Sequence, residues 1–128
     1  MLAGLASGKL MATLPSETEW EKAARGVDGR EYPWVGDFDP NKANTDETGI
    51  GATTAVGIFP GGQSPFGLLD ASGNVWEWTM SGDSDARVLR GGSFYDSARF
   101  ARCSVRARNP PDHWHRDFGF RVVLVPFR

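Results

Sequence analysis

The chain has 128 residues, of which 40% are hydrophobic and 23% charged, the size and composition of one soluble domain. It contains no apolar run near the roughly 18 residues that a membrane helix needs. Residues 1–14 are too short and too interrupted for a secretory signal, so a cytoplasmic location is the default expectation. The single cysteine, Cys103, excludes an internal disulfide framework and a cysteine-rich zinc site, and we expect it to be buried.

Charge is distributed unevenly along the chain. Residues 1–86 carry 5 basic and 13 acidic groups, whereas residues 87–128 carry 9 basic and 3 acidic groups, and all nine of those basic groups are arginines. A nucleic-acid surface usually mixes lysine with arginine, so this pattern does not favour nucleic-acid binding. The planar guanidinium suits ties to carboxylates and carbonyls within the protein, which is the role we predict for these arginines.

The first predicted element is a helix that begins after Ser16 and ends at Gly26. Glu19 follows Ser16 by three residues and completes a capping box, and Trp20 and Ala24 fall on one helix face. Residues 27–67 are dense in glycine, proline, asparagine and aspartate, which predicts a long ordered loop. Aromatic side chains should tether this loop, and they are Trp34, Phe38, Phe59 and Phe66.

The second half of the chain contains the strand candidates. They are residues 74–79, 87–90, 101–106 and 119–125. Alternation across residues 101–108 would put Arg102, Arg106 and Arg108 on one strand face, and Cys103, Val105 and Ala107 on the other. The predicted class is α+β with little regular structure.

Six motifs in a fixed order carry a family resemblance. They are LPSETEWEKAARG at 14–26, YPW at 32–34, FGL at 66–68, GNVWEWT at 73–79, RVLRGGS at 87–93 and GFRV at 119–122. The chain resembles the formylglycine-generating enzyme, or sulfatase-modifying factor, family. That resemblance implies a C-type-lectin-like fold, loop-rich with short antiparallel strands and one or two helices. The expected organisation is one domain over residues 1–128, N-terminally truncated relative to the family, with a ligand-binding region at 91–123.

The resemblance also bears on catalysis. The family has two catalytic cysteines that bind copper, and the first lies three residues after the Gly-Gly-Ser motif, where this chain has Asp96. The second falls within residues 97–102, which contain no cysteine. Since Cu(I) needs a pair of thiolates, we expect no oxidase activity, no catalytic residue and no required cofactor. A catalytic domain completed by another chain and a structural accessory domain are the alternatives.

For a metal, the candidates are Asn74 and Glu77. The family carries calcium at this Gly-Asn-Val-Trp-Glu-Trp motif, so the resemblance implies a structural calcium ion held by oxygen ligands. An ion pair between Glu77 and an arginine is the alternative that the sequence leaves open. His113 and His115, beside two prolines, are expected on a surface loop.

A second resemblance covers residues 91–123. This segment resembles the variable region of diversity-generating retroelement target proteins, whose binding residues change at adenines, commonly within AAC codons. Residues 94–128 contain no lysine, glutamate, glutamine or methionine, which AAC codons changed at adenine cannot encode. An ordinary family member with an arginine-rich end is the alternative. With Trp114 as a fixed position, the predicted ligand-binding residues are Tyr95, Asp96, Ser97, Phe100, Val105, Ala107, Asn109, His113, Trp114, His115 and Asp117.

These side chains suit recognition of a protein, peptide or glycan. Tyr95, Phe100 and Trp114 offer contact area at low conformational entropy, and the polar members offer adaptable hydrogen bonds. Phe94, next to them, is expected in the core.

Overall fold

The computed structural model of the chain describes residues 8–126. A two-stranded antiparallel sheet joins β1 (Leu10–Thr13) to β6 (Val123–Pro126). A four-stranded sheet contains β2 (Trp76–Gly82), β3 (Arg87–Arg90), β4 (Arg106–Asn109) and β5 (Phe118–Gly119) in the order β4-β3-β2-β5. All pairings in it are antiparallel except that of β2 with β5. The sequence prediction that residues 1–14 are not a secretory signal includes residues 1–7, which lie outside the described residues.

The helix α1 (Glu17–Arg25) has the predicted caps. The Ser16 hydroxyl accepts from the Glu19 amide at 3.1 Å, and the Ser16 amide donates to Glu19 Oε1 at 2.8 Å, which is the capping box. Gly26 ends the helix at a φ of 72°, a conformation that favours glycine. No helix within residues 8–126 is long and apolar enough to span a bilayer.

The long loop after α1 is confirmed, since residues 27–67 contain only two short 3-10 turns, Asp46–Thr48 and Pro60–Gly62. Trp34 and Phe38 tether it as predicted, because they pack with Tyr32, whose ring centroid lies 5.3 Å from that of Trp34. The same prediction is wrong for Phe66, which is 60% exposed.

Two strand predictions need correction. Residues 101–106 do not form a strand: Ala98–Ala101 is a 3-10 helix, and β4 begins only at Arg106. The Cys103 amide donates to the Glu31 carbonyl at 2.7 Å, which ties this stretch to the long loop instead of the sheet. The candidate at 119–125 divides between β5 and β6, which belong to different sheets.

Strand register separates the two faces of the four-stranded sheet. Glu77, Arg90 and Arg106 are aligned on one face, and Trp78, Leu89 and Ala107 on the other. Helix α1 covers the first face, where Trp20 Nε1 donates to Glu77 Oε1 at 2.9 Å. The second face is therefore the one available to the C-terminal loops.

Arginines tie this sheet and the C-terminal segment to the rest of the chain. The ion-pair partners are Glu17 and Glu21 for Arg90, Glu17 for Arg106, Asp83 for Arg108 and Glu77 for Arg121. Arg90 is only 2% exposed and also donates to the Cys103 carbonyl at 2.8 Å. The predicted structural role of the arginines is confirmed for these four. Arg106 and Arg108 share a strand face as predicted, whereas Arg102 precedes the strand.

Candidate functional site

Three polar side chains fix the backbone of the C-terminal segment, and we call Ser93, Asp96 and Asp117 the serine–aspartate frame. The Ser93 hydroxyl lies 2.7 Å from Asp117 Oδ2 and 2.9 Å from Asp96 Oδ2. Asp96 Oδ2 also accepts from Trp76 Nε1 at 2.7 Å and from the Ser93 amide at 3.1 Å. Asp96, which the resemblance places at the family's first cysteine position, therefore accepts hydrogen bonds inside the protein.

An aromatic cluster lies beside this frame, and it consists of Phe94, Tyr95, His113, His115 and Phe118. The Phe118 ring centroid lies 5.7 Å from that of His113 and 5.9 Å from that of His115. Tyr95 completes the cluster, 6.0 Å from His115 and 4.6 Å from Phe94. Phe118 also packs edge-on against Trp78 at 5.6 Å, which anchors the cluster to the second face of the sheet.

The cluster brings together Tyr95, His113 and His115 from the predicted ligand-binding set. Tyr95 is 45% exposed, and Trp114, between the two histidines in sequence, is 83% exposed. His113 and His115 are exposed on the loop, as expected. Phe94 is 3% exposed, which confirms that it belongs to the core.

Two predicted ligand-binding residues point inward instead. Asp117 is 6% exposed, and its second carboxylate oxygen pairs with His115 Nδ1. Asp96 is half-buried and directs its carboxylate at Ser93 and Trp76. Codon reachability carries no information about side-chain direction, which explains why both residues entered the predicted set.

The remaining predicted residues lie apart from the cluster. Phe100 is 43% exposed on the Ala98–Ala101 turn, and Ser97 is the residue before that turn. Val105, Ala107 and Asn109 are half-buried on or just before β4, and β3 and β2 separate β4 from β5. The structure therefore does not bring them into contact with the cluster.

Sequence reasoning missed one residue of this surface, Arg116. Its guanidinium carbon lies 4.5 Å from the Tyr95 ring centroid and 5.9 Å from that of Phe94. The sequence offered little to single out Arg116, because it is one of nine arginines in residues 87–128 for which a structural role was predicted. Arg116 differs from the four paired arginines because no acidic side chain of the described residues pairs with it, and from the other unpaired arginines because it lies over the Tyr95 ring.

An apolar cavity of about 550 Å³ was also not predicted. Its walls include Leu14, Trp78, Met80 and Phe120, and Pro111 at the start of the histidine loop borders it. Phe120 is 69% exposed there. The cavity therefore extends the exposed apolar surface from the loop toward β1.

The metal candidates Asn74 and Glu77 are both engaged by protein donors. Asn74 Oδ1 accepts from the Thr54 amide at 3.0 Å. Glu77 accepts from Arg121 through both oxygens, at 2.6 and 3.0 Å, and also from Trp20. This geometry matches the arginine alternative, because a guanidinium already balances the buried carboxylate and would repel a cation beside it. In this arrangement the donor set therefore does not fit the calcium ion that the family resemblance implies.

Cys103 is fully buried, as expected. Burial raises the pKa of its thiol from 9.0 to about 12. The thiolate that metal binding or nucleophilic chemistry needs is therefore scarce at neutral pH. Within residues 8–126, no cluster of three or more histidine, cysteine, aspartate or glutamate side chains is arranged to hold a metal ion.

Comparison with known proteins places this chain in a family. Residues 6–125 match the model of the sulfatase-modifying factor enzyme 1-like domain. The inactive C-alpha-formylglycine-generating enzyme 2 of Bos taurus is 42% identical over 86% of this chain and 43% of its own length. The formylglycine-generating enzyme of Streptomyces coelicolor is 35% identical over 86% of this chain and 46% of its own. The chain thus spans less than half the length of these curated relatives.

Solved structures agree with this assignment. Treponema denticola variable protein 1 aligns with a TM-score of 0.75 and 31% identity, over 87% of this chain and 46% of that protein. PvdO from Pseudomonas aeruginosa aligns at 0.78 with 24% identity, over 98% and 56%, which supports the fold alone. The likeness to a variable protein supports the second resemblance drawn from the sequence. The chain belongs to the sulfatase-modifying factor, or formylglycine-generating enzyme, family and has the α+β fold of its members.

Proposed function

We propose that this chain is a non-catalytic ligand-binding module that recognises a protein, peptide or glycan through the aromatic cluster and Trp114. The observation that carries the proposal is the exposure of Tyr95, His113, Trp114 and His115 on one loop surface above the buried serine–aspartate frame. Exposed tyrosine and tryptophan side chains on a fixed backbone are typical of recognition surfaces, and the imidazoles add polar contacts.

The absence of catalysis is proposed on chemical grounds. Asp96 stands where the resemblance places the first copper-binding cysteine, and its carboxylate is bonded to Trp76 and Ser93. Cys103 is this chain's only thiol, and its buried sulfur has a raised pKa. A linear Cu(I) site needs two thiolates, which this chain does not offer. The inactive name of the Bos taurus relative is in line with this proposal.

Diversification of the surface, as in variable proteins, is part of the proposal. The loop that contains the histidines is held by hydrogen bonds between backbone atoms. The His113 amide donates to the Pro110 carbonyl at 3.0 Å, and the Phe118 amide donates to the His115 carbonyl at 3.0 Å. Replacing an exposed side chain leaves these backbone bonds intact. A ligand surface can then change without a matching change in the fold.

Two displayed libraries test the proposal. One is randomised at the three exposed residues of the aromatic cluster, Tyr95, His113 and His115, and the control is randomised at the three residues of the serine–aspartate frame. We expect most members of the first library to resist protease and to yield binders against unrelated protein targets, and most members of the control to be degraded. Equal degradation of both libraries, or a folded first library without binders, would contradict the proposal.

The catalytic alternative has its own test. A copper-loaded sample is incubated with a cysteine-containing peptide, and conversion of the cysteine to an aldehyde is measured by mass spectrometry. We expect no conversion. Copper-dependent conversion that disappears in Cys103→Ser would refute the non-catalytic function.

A further inference from the structure

The arginines of the C-terminal segment fall into two classes. Arg90, Arg106, Arg108 and Arg121 pair with carboxylates from earlier parts of the chain. No ion pair with the described residues is formed by Arg87, Arg99, Arg102 or Arg116, and Arg87 donates to the Met80 carbonyl. Arg102 donates instead to the Arg99 carbonyl at 2.8 Å, and Arg99 and Arg116 lie against aromatic rings.

Arg116 is the member of the second class that lies within the aromatic cluster. It is exposed, and its guanidinium lies over Tyr95 at 4.5 Å. No hydrogen bond joins its side chain to the described residues. A guanidinium that stacks on a ring keeps its N–H donors, which point outward in its own plane, free for a ligand.

The nearby carboxylates are turned away from Arg116. Asp96 is bonded to Ser93 and Trp76, and Asp117 to Ser93 and His115. Asp112 is the remaining acidic residue of the segment 91–126 and is exposed. The surface beside Tyr95 therefore presents a cation and imidazoles, although the chain as a whole has a formal charge of −2.

We propose that Arg116, positioned by Tyr95, binds a carboxylate side chain of an acidic peptide segment of a partner protein, with Trp114 receiving an apolar side chain next to it. This inference rests on the proposed function and names the chemistry of its ligand. A planar guanidinium forms two parallel hydrogen bonds with a carboxylate, and this pairing adds geometric specificity to the attraction between the charges. Arg116 has no carboxylate partner within the described residues, and a neutral sugar would not supply one, which favours an acidic peptide over a neutral glycan.

A fluorescence anisotropy titration tests this inference with two labelled peptides. One is rich in glutamate and phenylalanine, and the other has glutamine in place of every glutamate. We expect the glutamate peptide to bind at least about tenfold more tightly, because hydrogen bonds between charged groups are about twice as strong as neutral ones. Arg116→Gln should remove that difference, and Tyr95→Phe should retain it.

Arg108→Gln is the matched control. It makes the same charge change at an exposed arginine, but on β4 and next to Asp83, so it should leave the affinity unchanged. An equal loss of affinity for the glutamate peptide in both variants would mean that net charge alone attracts the peptide. Equal affinities for the two peptides would mean that the site does not recognise a carboxylate. Either result overturns the inference. Unchanged thermal unfolding of Arg116→Gln checks that the variant is folded.

The outcomes also separate this inference from the proposed function. If the display library yields binders while Arg116→Gln leaves the glutamate peptide unaffected, the recognition surface stands and its acidic ligand does not. Tighter, Arg116-dependent binding of dextran sulfate than of the glutamate peptide would replace the acidic peptide with a sulfated glycan. If the library gives no binders, the proposed function fails first.

Discussion

Replacing Arg90 by alanine should be among the most destabilising single changes in the chain. The guanidinium is 2% exposed, pairs with Glu17 and Glu21, and lies 5.5 Å from the Trp20 ring centroid. Breaking a buried ion pair by removing one partner costs roughly 3 to 5 kcal/mol. Glu17 and Glu21 are partly exposed and can turn to water, so we expect the lower end, about 3 kcal/mol.

Urea unfolding of Arg90→Ala, followed by tryptophan fluorescence, measures this loss. For a domain of this size, the expected fall in Tm is roughly 10 °C. Arg99→Ala is the control, because Arg99 is exposed and pairs with no carboxylate of the described residues, and it should change the free energy of unfolding by less than about 0.5 kcal/mol. Similar free energies of unfolding for the two variants would refute the inference that the paired arginines stabilise the fold and the unpaired ones do not.

Four further predictions concern Cys103, Glu77 and Gly73. The Cys103 thiol should resist alkylation at pH 8 until the chain unfolds, and reaction of the native protein at the rate of free cysteine would contradict its burial. Because the pKa of this thiol rises from 9.0 in the unfolded chain to about 12 when folded, its contribution to stability is present below pH 9 and is lost as the pH rises from 9 to 12, by about 1 kcal/mol near pH 10 relative to Cys103→Ala, measured by urea unfolding. Calcium should leave Tm unchanged, because Arg121 already balances Glu77; a rise in Tm that Glu77→Gln abolishes would establish the calcium site instead. Gly73→Ala should cost more than about 2 kcal/mol in urea unfolding, because φ is 81° and an added Cβ would lie 2.4 Å from the Asn44 carbonyl oxygen; a smaller loss would show that this turn can relax.

Local sequence signals predicted the parts of the fold that depend on neighbouring residues. The capping box of Ser16 and Glu19 needs only three residues of separation, and the helix bounded by Gly26 follows from it. The structural role of arginine was also predictable, because residues 87–128 contain nine arginines and no lysine. Which carboxylate each arginine meets was not, since Arg90 and Glu17 are joined only by the packing of α1 on β3.

The errors arise from contacts between residues that are far apart in sequence. Apolar and polar residues alternate from 101 to 106 as in a strand, but the bond from Cys103 to Glu31 holds that stretch outside the sheet. The aromatic side chain of Phe66 predicts that it anchors the long loop to the core, yet it lies on the surface. The lack of an ion-pair partner for Arg116 could not be predicted from the sequence either, because it depends on where Asp96 and Asp117 direct their carboxylates.

The same geometry limits how far diversification can extend. Tyr95, Asp96 and Asp117 all lie within the segment that resembles a variable region, and all three are reachable from the same codon. Their surroundings differ, because a substitution at Tyr95 changes the exposed surface, whereas the loss of Asp96 leaves Trp76 Nε1 and the Ser93 amide without their acceptor. A buried donor left unpaired costs roughly 1 to 3 kcal/mol, so selection for folding would return aspartate at this position even if the codon varied freely. Free variation is therefore expected where the side chain is exposed and its neighbours are held by the backbone, which separates the histidine loop from the frame beneath it.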